Sequence, residues 1–377
     1  MVTPMATPRV DVAVIGGGIA GVSAASQLSE THSVVLLEQE SELGYHTTSR
    51  SAAVYVENEG GPVFHRLSTA SRPFWDTSPG ADTPLVTPMP VLKVGSDAMG
   101  AAMEAEAIEA QSVTPSIQFV EGADLVELCP ILNPEVVSVG ILEGTAGSID
   151  VMGTHQLFLR AARGNGADVW RSARLQEATR KDGQWEIDTA AGPLHAPVIV
   201  NAAGAWGDVV AERCGVSPVG LAPKRRTAFT APISTDPAGW PFIYSGIPDL
   251  ECYFKAEAGQ QLLCSLSDEA PSEPCDAKPE ELDIALAIER INTISTLGVR
   301  SVSSTWAGLR TFAPDRNPVF GWDDNVDGFL WMVGQGGCGI VTSPIAGEIA
   351  ASLVREEPLP KAATNLGLTQ TDLAPRR

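Results

Sequence analysis

A chain of 377 residues is long enough for two domains, and a composition of 44% hydrophobic and 19% charged residues is that of a globular protein, not a disordered one. The formal net charge of −21, from 46 acidic against 25 basic residues, would repel phosphate backbones and anionic lipid, which excludes nucleic acid as a partner and leaves the excess acid as a solubilising surface. No apolar run approaches the roughly 20 residues that cross a bilayer, Val10 to Ile15 follows no basic region and is no signal peptide, and the dispersed cysteines and histidines lack metal-ligand spacing, so the expectation is a cytoplasmic protein with reduced thiols and no metal.

In chain order, Met1 to Arg9 reads as a loose tail. Val10 to Ile15 is an apolar run suited to a parallel strand buried on both faces. A glycine cluster and a helical stretch, Ile19 to Glu30, lead to a second strand, Ser33 to Leu37. That is a βαβ unit, whose right-handed crossover needs a parallel sheet. Pro- and Thr-rich text from Thr77 to Pro90 marks an exit from this segment, and Ala101 to Gln111 is an Ala/Glu helix. Ser148 to Ile187 alternates helix and strand, and Val198 to Cys214 reads strand, glycine turn, helix. Arg226 to Ser304 sets Trp, Phe and Tyr in short runs broken by turns, as in an antiparallel sheet, with one helix near Glu280 to Leu297. Gly328 to Leu353 is again strand, Gly-rich turn and helix, and everything past Arg355 reads as a polar tail.

Nucleotide-type segments at the start, middle and end imply two discontinuous domains in an α/β (α+β) chain. Residues 1–85, 146–222 and 305–365 form the nucleotide-binding domain, 86–145 and 223–304 the second domain, and 366–377 a tail.

The strongest motif is Gly16-Gly17-Gly18-Ile19-Ala20-Gly21, with glycines at the GxGxxG positions. Gly16 permits the tight strand-to-helix turn, Gly18 lets backbone approach a pyrophosphate, and Gly21 lets helix pack on strand. The helix N-terminus offers free N–H groups to the phosphates. Glu38 closes the second strand, where a carboxylate can accept hydrogen bonds from ribose hydroxyls. Glycine clusters also make plain turns; the strand before, the helix after and the acid beyond are what mark a nucleotide site. Gly44 to Ser51 follows, crowded with small hydroxyls and one arginine, a composition shared by phosphate-facing and merely solvated loops.

With that loop, the chain resembles the D-amino-acid oxidase superfamily of glutathione-reductase-type flavoproteins, and within it the amino-acid dehydrogenases related to D-arginine dehydrogenase. The matching stretches are Gly44 to Tyr55, Val198 to Asp208 (VIVNAAGAWGD), Leu221 to Phe229 (LAPKRRTAF), Thr305 to Phe312 (TWAGLRTF) and Gly334 to Ser343 (GQGGCGIVTS), in matching order over nearly the whole chain. The resemblance implies a Rossmann-like FAD domain, an antiparallel-sheet substrate domain, and FAD held non-covalently. It assigns to the cofactor Gly16, Gly18, Ile19, Ala20, Gly21, Glu38 and Gln39 from the first unit, and His46, Thr48, Ser49, Arg50, Ser51 and Ala52 from the loop. Leu175, Ala202, Gly204 and Trp206 come from the middle of the chain, and Gly336, Gly337, Gly339, Ile340 and Thr342 with Arg310 from near its end. Cys338 has no cysteine counterpart in the dehydrogenase relatives and is read as incidental.

Flavin amine oxidation needs a substrate α-carbon held against the flavin and a cationic fork for the amino acid's carboxylate, a geometry arginine supplies best. Arg310, inside an apolar stretch, needs a ligand or an internal acid to meet it. Arg226 ends a Lys-Arg-Arg cluster that could equally be a solvated turn. The relatives place arginines matching both, and a tyrosine matching Tyr253, near the substrate. Where the arginine-specific relative presents histidine, threonine and tyrosine this chain has Val54, Val56 and Glu59, and Val91 replaces the carboxylate that would greet a guanidinium. A pocket of Val54, Val56 and Val91 predicts an apolar side chain, and the resemblance implies a D-amino acid. The alternatives left open are an oxygen-using oxidase of glycine, sarcosine or another secondary amine acid, and a flavin-bearing non-catalytic subunit. An aromatic hydroxylase would expect a Gly-Asp motif where this chain has GQGGCG. The electron acceptor and the oligomeric state are not legible.

Overall fold

The computed structural model describes residues 7–112, 114–237 and 239–375. Val12–Ile15, Val34–Leu37, Val198–Asn201, Phe329–Val333 and Asp168–Trp170 form the parallel part of a six-stranded sheet, with Val319–Trp322 added antiparallel at one edge. Val12–Ile15 lies between Val198–Asn201 and Val34–Leu37, so the expected βαβ unit stands at the centre of the sheet.

The alternation of side chains along these strands builds two cores at once. Val12, Val14, Val34, Leu36 and Leu330 face the helices Ile19–Leu28 and Ser343–Val354, and Ala13, Ile15, Val35, Leu37 and Phe329 face the other way. That second face packs on an antiparallel three-stranded meander, Leu175–Lys181, Gln184–Thr189 and Leu194–Ala196, through Leu175, Trp185, Ile187 and Leu194. The two helices approach closely because Gly347 has no side chain: a Cβ there would stand 2.6 Å from the carbonyl oxygen of Ser23.

The second large sheet is built on Ala222–Pro232, which pairs with Ser304–Phe312 on one side and Gln261–Ser265 on the other. Cys252–Glu257 and Phe242–Ser245 follow. The expected antiparallel sheet is mixed in fact, because Phe242–Ser245 meets Val91–Gly95 in parallel. These strands come from distant parts of the chain, and only such a long connection permits a parallel neighbour. The helix Glu281–Ile294, close to its expected span, covers one face through Ala287, Ile291 and Ile294 against Phe229, Phe254 and Cys264.

Two sequence expectations are corrected. Residues 305–312, read as part of the nucleotide-binding segments, lie in the strand Ser304–Phe312, which hydrogen-bonds along its length to Ala222–Pro232 in the second sheet. The segment past Arg355 is no loose polar tail. Leu359, Ala363, Leu368 and Leu373 are buried in the helix-side core, and a reciprocal Thr369–Asp372 cap starts the last turn. Isolated leucines among polar residues carry no periodicity, so composition hides them. Of the expected N-terminal tail, residues 1–6 lie outside the described residues, while Arg9 bridges to His195. Among the described residues no helix is long and apolar enough to cross a membrane.

Candidate active site

The glycine turn is built as its spacing demands. Gly16 has φ of +109°, and a Cβ there would stand 2.5 Å from the carbonyl oxygen of Ala202. Gly21 lies so close to the carbonyl oxygen of Gly16 that a Cβ would overlap it. Gly18 is extended, and its missing side chain leaves room for Thr48, whose hydroxyl accepts the amide of Ile19 at 3.0 Å. Thr48 therefore satisfies one free N–H of the helix start and keeps its own proton to donate.

Glu38 is buried, 7% exposed, and accepts the amides of Gly17 at 2.8 Å and Glu40 at 2.9 Å on separate oxygens. Burial pushes its carboxyl pKa up, against these two donors and the nearby His46. Each oxygen retains capacity for a hydroxyl donor. His46 holds Glu40 at 2.9 Å through Nε2 and packs on Trp206 with ring centroids 4.5 Å apart. Beneath the turn, His155 donates Nε2–H to the carbonyl oxygen of Gly17 at 2.9 Å, and burial lowers its pKa.

Glu38, the glycine turn and Trp206 border one end of a continuous cleft whose other end is bordered by Arg226, Tyr253 and Arg310. Of the residues assigned to the cofactor, Gly16, Gly18, Ile19, Ala20, Gln39, His46, Thr48, Arg50, Ser51 and Ala52 line it. So do Leu175, Ala202, Gly204, Gly336, Gly337, Gly339 and Ile340. Gly21, Ser49 and Thr342 do not. Gly21 packs beneath the turn, Ser49 is exposed and donates to the carbonyl of Tyr45 at 3.1 Å, and Thr342 is buried with its hydroxyl on the carbonyl of Cys338 at 3.0 Å. Arg50 lines the cleft, but its guanidinium is spent as a strut to the second sheet. It reaches Asp276 at 2.6 Å and the carbonyls of Ala277 and Ala307 at 3.1 and 2.9 Å. Lys278 and Arg50 together hold the half-buried Asp276 carboxyl down at about 2.

The far end follows from strand register. Lys224 stands opposite Arg310, Arg226 opposite Gly308, Ala228 opposite Ser265, Ser265 opposite Tyr253, and Tyr253 opposite Tyr244. Opposed residues share a face, so Arg310, Arg226, Tyr253 and Tyr244 all project from the face away from the helix Glu281–Ile294. Arg226 donates Nε–H to the carbonyl of Asp268 at 2.7 Å and lies 5.9 Å from the Tyr253 ring centroid. Burial, and then the charge of Arg310, push its guanidinium pKa down. Glu269 binds Lys224 at 2.8 Å and Arg316 at 3.0 Å, with Arg226 at 3.8 Å. Partial burial would raise its carboxyl pKa, but Arg316 and Lys224 outweigh that and bring it to about 2. Arg310 makes no side-chain hydrogen bond or ion pair among the described residues.

Sequence reasoning missed Tyr244 and Glu269. Tyr244 could be found by laying the alternating runs FIYS and CYFKAE against each other as neighbouring strands; Glu269 is in a loop and left no signal. Val54, Val56 and Val91 do not line the cleft. Val54 is opposite Ser148, whose hydroxyl receives Lys255 at 3.2 Å. Val91 is one strand further out, opposite Phe242, and the Phe242 ring stacks on Tyr253 at 5.3 Å.

FAD fits this cleft. The cradle at Gly16–Gly21 is closed to any side chain, Glu38 offers ribose-binding oxygens, and three residues lining the cleft carry buried polar atoms without a partner: His46 Nδ1, Thr311 Oγ1 and Gln335 Nε2. Buried polar groups ordinarily find partners, and a dinucleotide rich in acceptors and donors supplies them.

The comparisons agree with this geometry. The chain is 25% identical to hydrogen cyanide synthase subunit HcnC of Pseudomonas aeruginosa, over 93% of each chain. It is 22% identical to the glycine oxidase of Bacillus licheniformis, over 93% of this chain and 94% of that one. Its fold matches the crystal structure of glycine oxidase from Geobacillus kaustophilus with a TM-score of 0.86 at 19% identity, covering 98% and 99% of the two chains. Residues 11–353 match the model of the FAD dependent oxidoreductase family, DAO, and the chain belongs to that family of FAD-binding enzymes.

Proposed function

We propose that this enzyme oxidises the carbon–nitrogen bond of an α-amino acid, a D-amino acid with an apolar side chain, to the imino acid. The observation that carries the reading is Arg310: a guanidinium with no side-chain partner among the described residues, beside Arg226 and Tyr253, at the end of a cleft whose other end fits a dinucleotide. A charge held in such a place needs a ligand anion, and the carboxylate of an amino acid matches a guanidinium fork. FAD, when bound, would supply the two-electron acceptor for the hydride that leaves the α-carbon as the amine becomes an imine.

The residues of this chain do the rest. Arg310 and Arg226 anchor the carboxylate, fixing the α-carbon's position. Two cations, and no acid among the residues lining that end of the cleft, favour the neutral amine whose lone pair assists hydride departure. Tyr253, with Phe242 stacked behind it, presents an aromatic wall, and a cationic side chain finds no carboxylate along it. Val54 and Val91 reinforce that apolar character from one layer further out.

A second reading has support in the relatives. Two of them are glycine oxidases, and an enzyme acting here on glycine, sarcosine or another secondary amine acid with oxygen as acceptor would use the same arginines. One experiment separates the two. The purified yellow enzyme is mixed anaerobically with paired D- and L-amino acids, glycine and N-methyl amino acids, and bleaching of the flavin is followed. Fastest bleaching by D-leucine or D-phenylalanine supports the first reading. Glycine or sarcosine in that place supports the second, fastest bleaching by D-arginine would overturn the apolar preference, and no bleaching by any amine would leave a non-catalytic flavoprotein.

A further inference from the structure

Arg310 belongs to two cavities. One is the cleft already described. The other, about 390 Å³, is bordered by Glu59, Gly61, Phe64, Glu269, Arg316 and Cys338, and its border shares only Arg310 and Gly337 with the first. That volume is within the range of small-molecule pockets. FAD held along the cleft from the glycine turn would cover that approach, so a substrate would reach Arg310 from the side. The second cavity ends on that residue.

We infer that this second cavity is the substrate entrance and a transient binding site for a zwitterionic amino acid, with Glu59 meeting the ammonium group while Arg310 meets the carboxylate. The inference rests on the amino-acid reading above. The charges in the cavity differ in what they have left to offer. Glu269 is saturated by Lys224, Arg226 and Arg316. Glu59 is exposed and makes no side-chain hydrogen bond or ion pair among the described residues. Its carboxylate acts electrostatically on the Tyr244 phenol and the Cys338 thiol, and Arg310 acts on both as well, so the acid and the arginine share one neighbourhood. Arg316 is 53% exposed, anchored over the Phe312 ring at 3.9 Å, and spends both terminal nitrogens on Glu269 at 3.2 and 3.0 Å. Beside the Glu269–Arg316 pair and Asp315, the cavity therefore offers Glu59 and Arg310, where the far end of the main cleft is bordered by Arg226 and Arg310 and no acid. A molecule carrying both charges is attracted first to the mixed site and delivers its carboxylate to the residue common to both cavities.

Gly61 makes the test possible. Its backbone is extended, at φ −92° and ψ −179°, a conformation open to any residue, and a Cβ there meets nothing within 4 Å. Gly61→Phe therefore fills the entrance without backbone strain, and Gly61→Ala is its control. The measurement is stopped-flow anaerobic flavin reduction by the best amino acid from the screen. Gly61→Phe is expected to lower the second-order rate constant at low substrate tenfold or more, leaving the FAD dissociation constant, the flavin spectrum and the reduction rate at saturation within about twofold of wild type. Glu59→Gln is expected to lower the same constant three- to tenfold for neutral amino acids. Unchanged association in a normally coloured Gly61→Phe protein would overturn the inference, as would a Glu59→Gln effect confined to lysine and arginine. If no amino acid bleaches even the wild-type flavin, the proposed function fails on its own account. The entrance is then tested by the rate at which acetate or benzoate perturbs the flavin absorbance: slower in Gly61→Phe supports the route, equal in both sinks it.

Discussion

The guanidinium of Arg310 lies against the backbone of Gly337: a Cβ at residue 337 would stand 2.9 Å from Nη1, 3.1 Å from Cζ and 3.4 Å from Nε. Glycine at 337 therefore does more for the arginine than for its own turn, since no positive φ is required there. Gly337→Ala should push the guanidinium aside and leave the fold intact. We expect KM for the amino acid to rise about tenfold or more, because small displacements of a positioning group cost that much, and a fluorescence titration measures any accompanying change in FAD affinity, since Gly337 also lines the cofactor cleft. An unaltered KM would show that Arg310 is not held from this side.

Removing the charge is a harsher test. Arg310→Leu should lower kcat/KM by two to three orders of magnitude, the ~3–4 kcal/mol of a charge-assisted fork. Arg310→Lys should recover only part of it, since an ammonium keeps the charge and loses the planar pair of donors. Steady-state kinetics on the protein with full flavin content decides between them. Equal activity of the lysine and arginine forms would mean that the carboxylate is held elsewhere.

At the other end of the cleft, Gly21→Ala is expected to yield colourless protein. The added methyl group overlaps the Gly16 carbonyl oxygen, so either the turn or the helix has to move, and the amides that face the diphosphate move with it. Flavin content per chain, read from the visible spectrum after purification in excess FAD, checks it. Retention of full colour would show that helix and strand can separate at little cost.

His155 makes cofactor retention sensitive to acid. Its Nε2–H is committed to the Gly17 carbonyl and its Nδ1 is buried without a partner, so protonation would bury a donor with nothing to accept it. Burial lowers the folded pKa, so the unfolded chain, with a histidine pKa of about 6.5, binds the proton first. The stabilising contribution is thus complete above about pH 6.5 and is lost as pH falls from there through the lower folded value. Thermal midpoints across this window should fall with pH in the wild type. The slope should be shallower in His155→Gln, whose amide can donate to Gly17 without titrating. Parallel curves for the two proteins would remove His155 from the account.

The C-terminal segment offers a test of stability alone. Leu373 is fully buried against the helix-side core. Leu373→Ala should destabilise the protein by about 2–4 kcal/mol, the usual cost of such a cavity, with KM unaffected. Denaturant unfolding with saturating FAD measures it, and a loss below about 0.5 kcal/mol would return the segment to the status of a tail.

The glycine turn, its flanking strand and helix, and Glu38 were legible because their partners are within one βαβ unit, where spacing along the chain is spacing in space. The pairing of Arg226 with Arg310 came through family resemblance and through the cost of burying a charge, and strand register then put both on one face. Glu269 was not legible, since it meets the site from a loop, and Tyr244 was legible only through the register of two neighbouring strands. The valines at 54, 56 and 91 were matched without gaps, and linear matching carries no information on which strand a residue reaches, so Val91 is one strand away from Tyr253. The same limit hid Arg50, whose position beside phosphate-type residues gave no hint that Asp276, 226 residues later, would hold it. Composition, period and motif thus determined the class of fold and the dinucleotide end, because local backbone geometry suffices there. Tertiary structure alone decided which charges remain free at the reacting end, because that depends on desolvation and on partners brought together only when the two sheets close on one another.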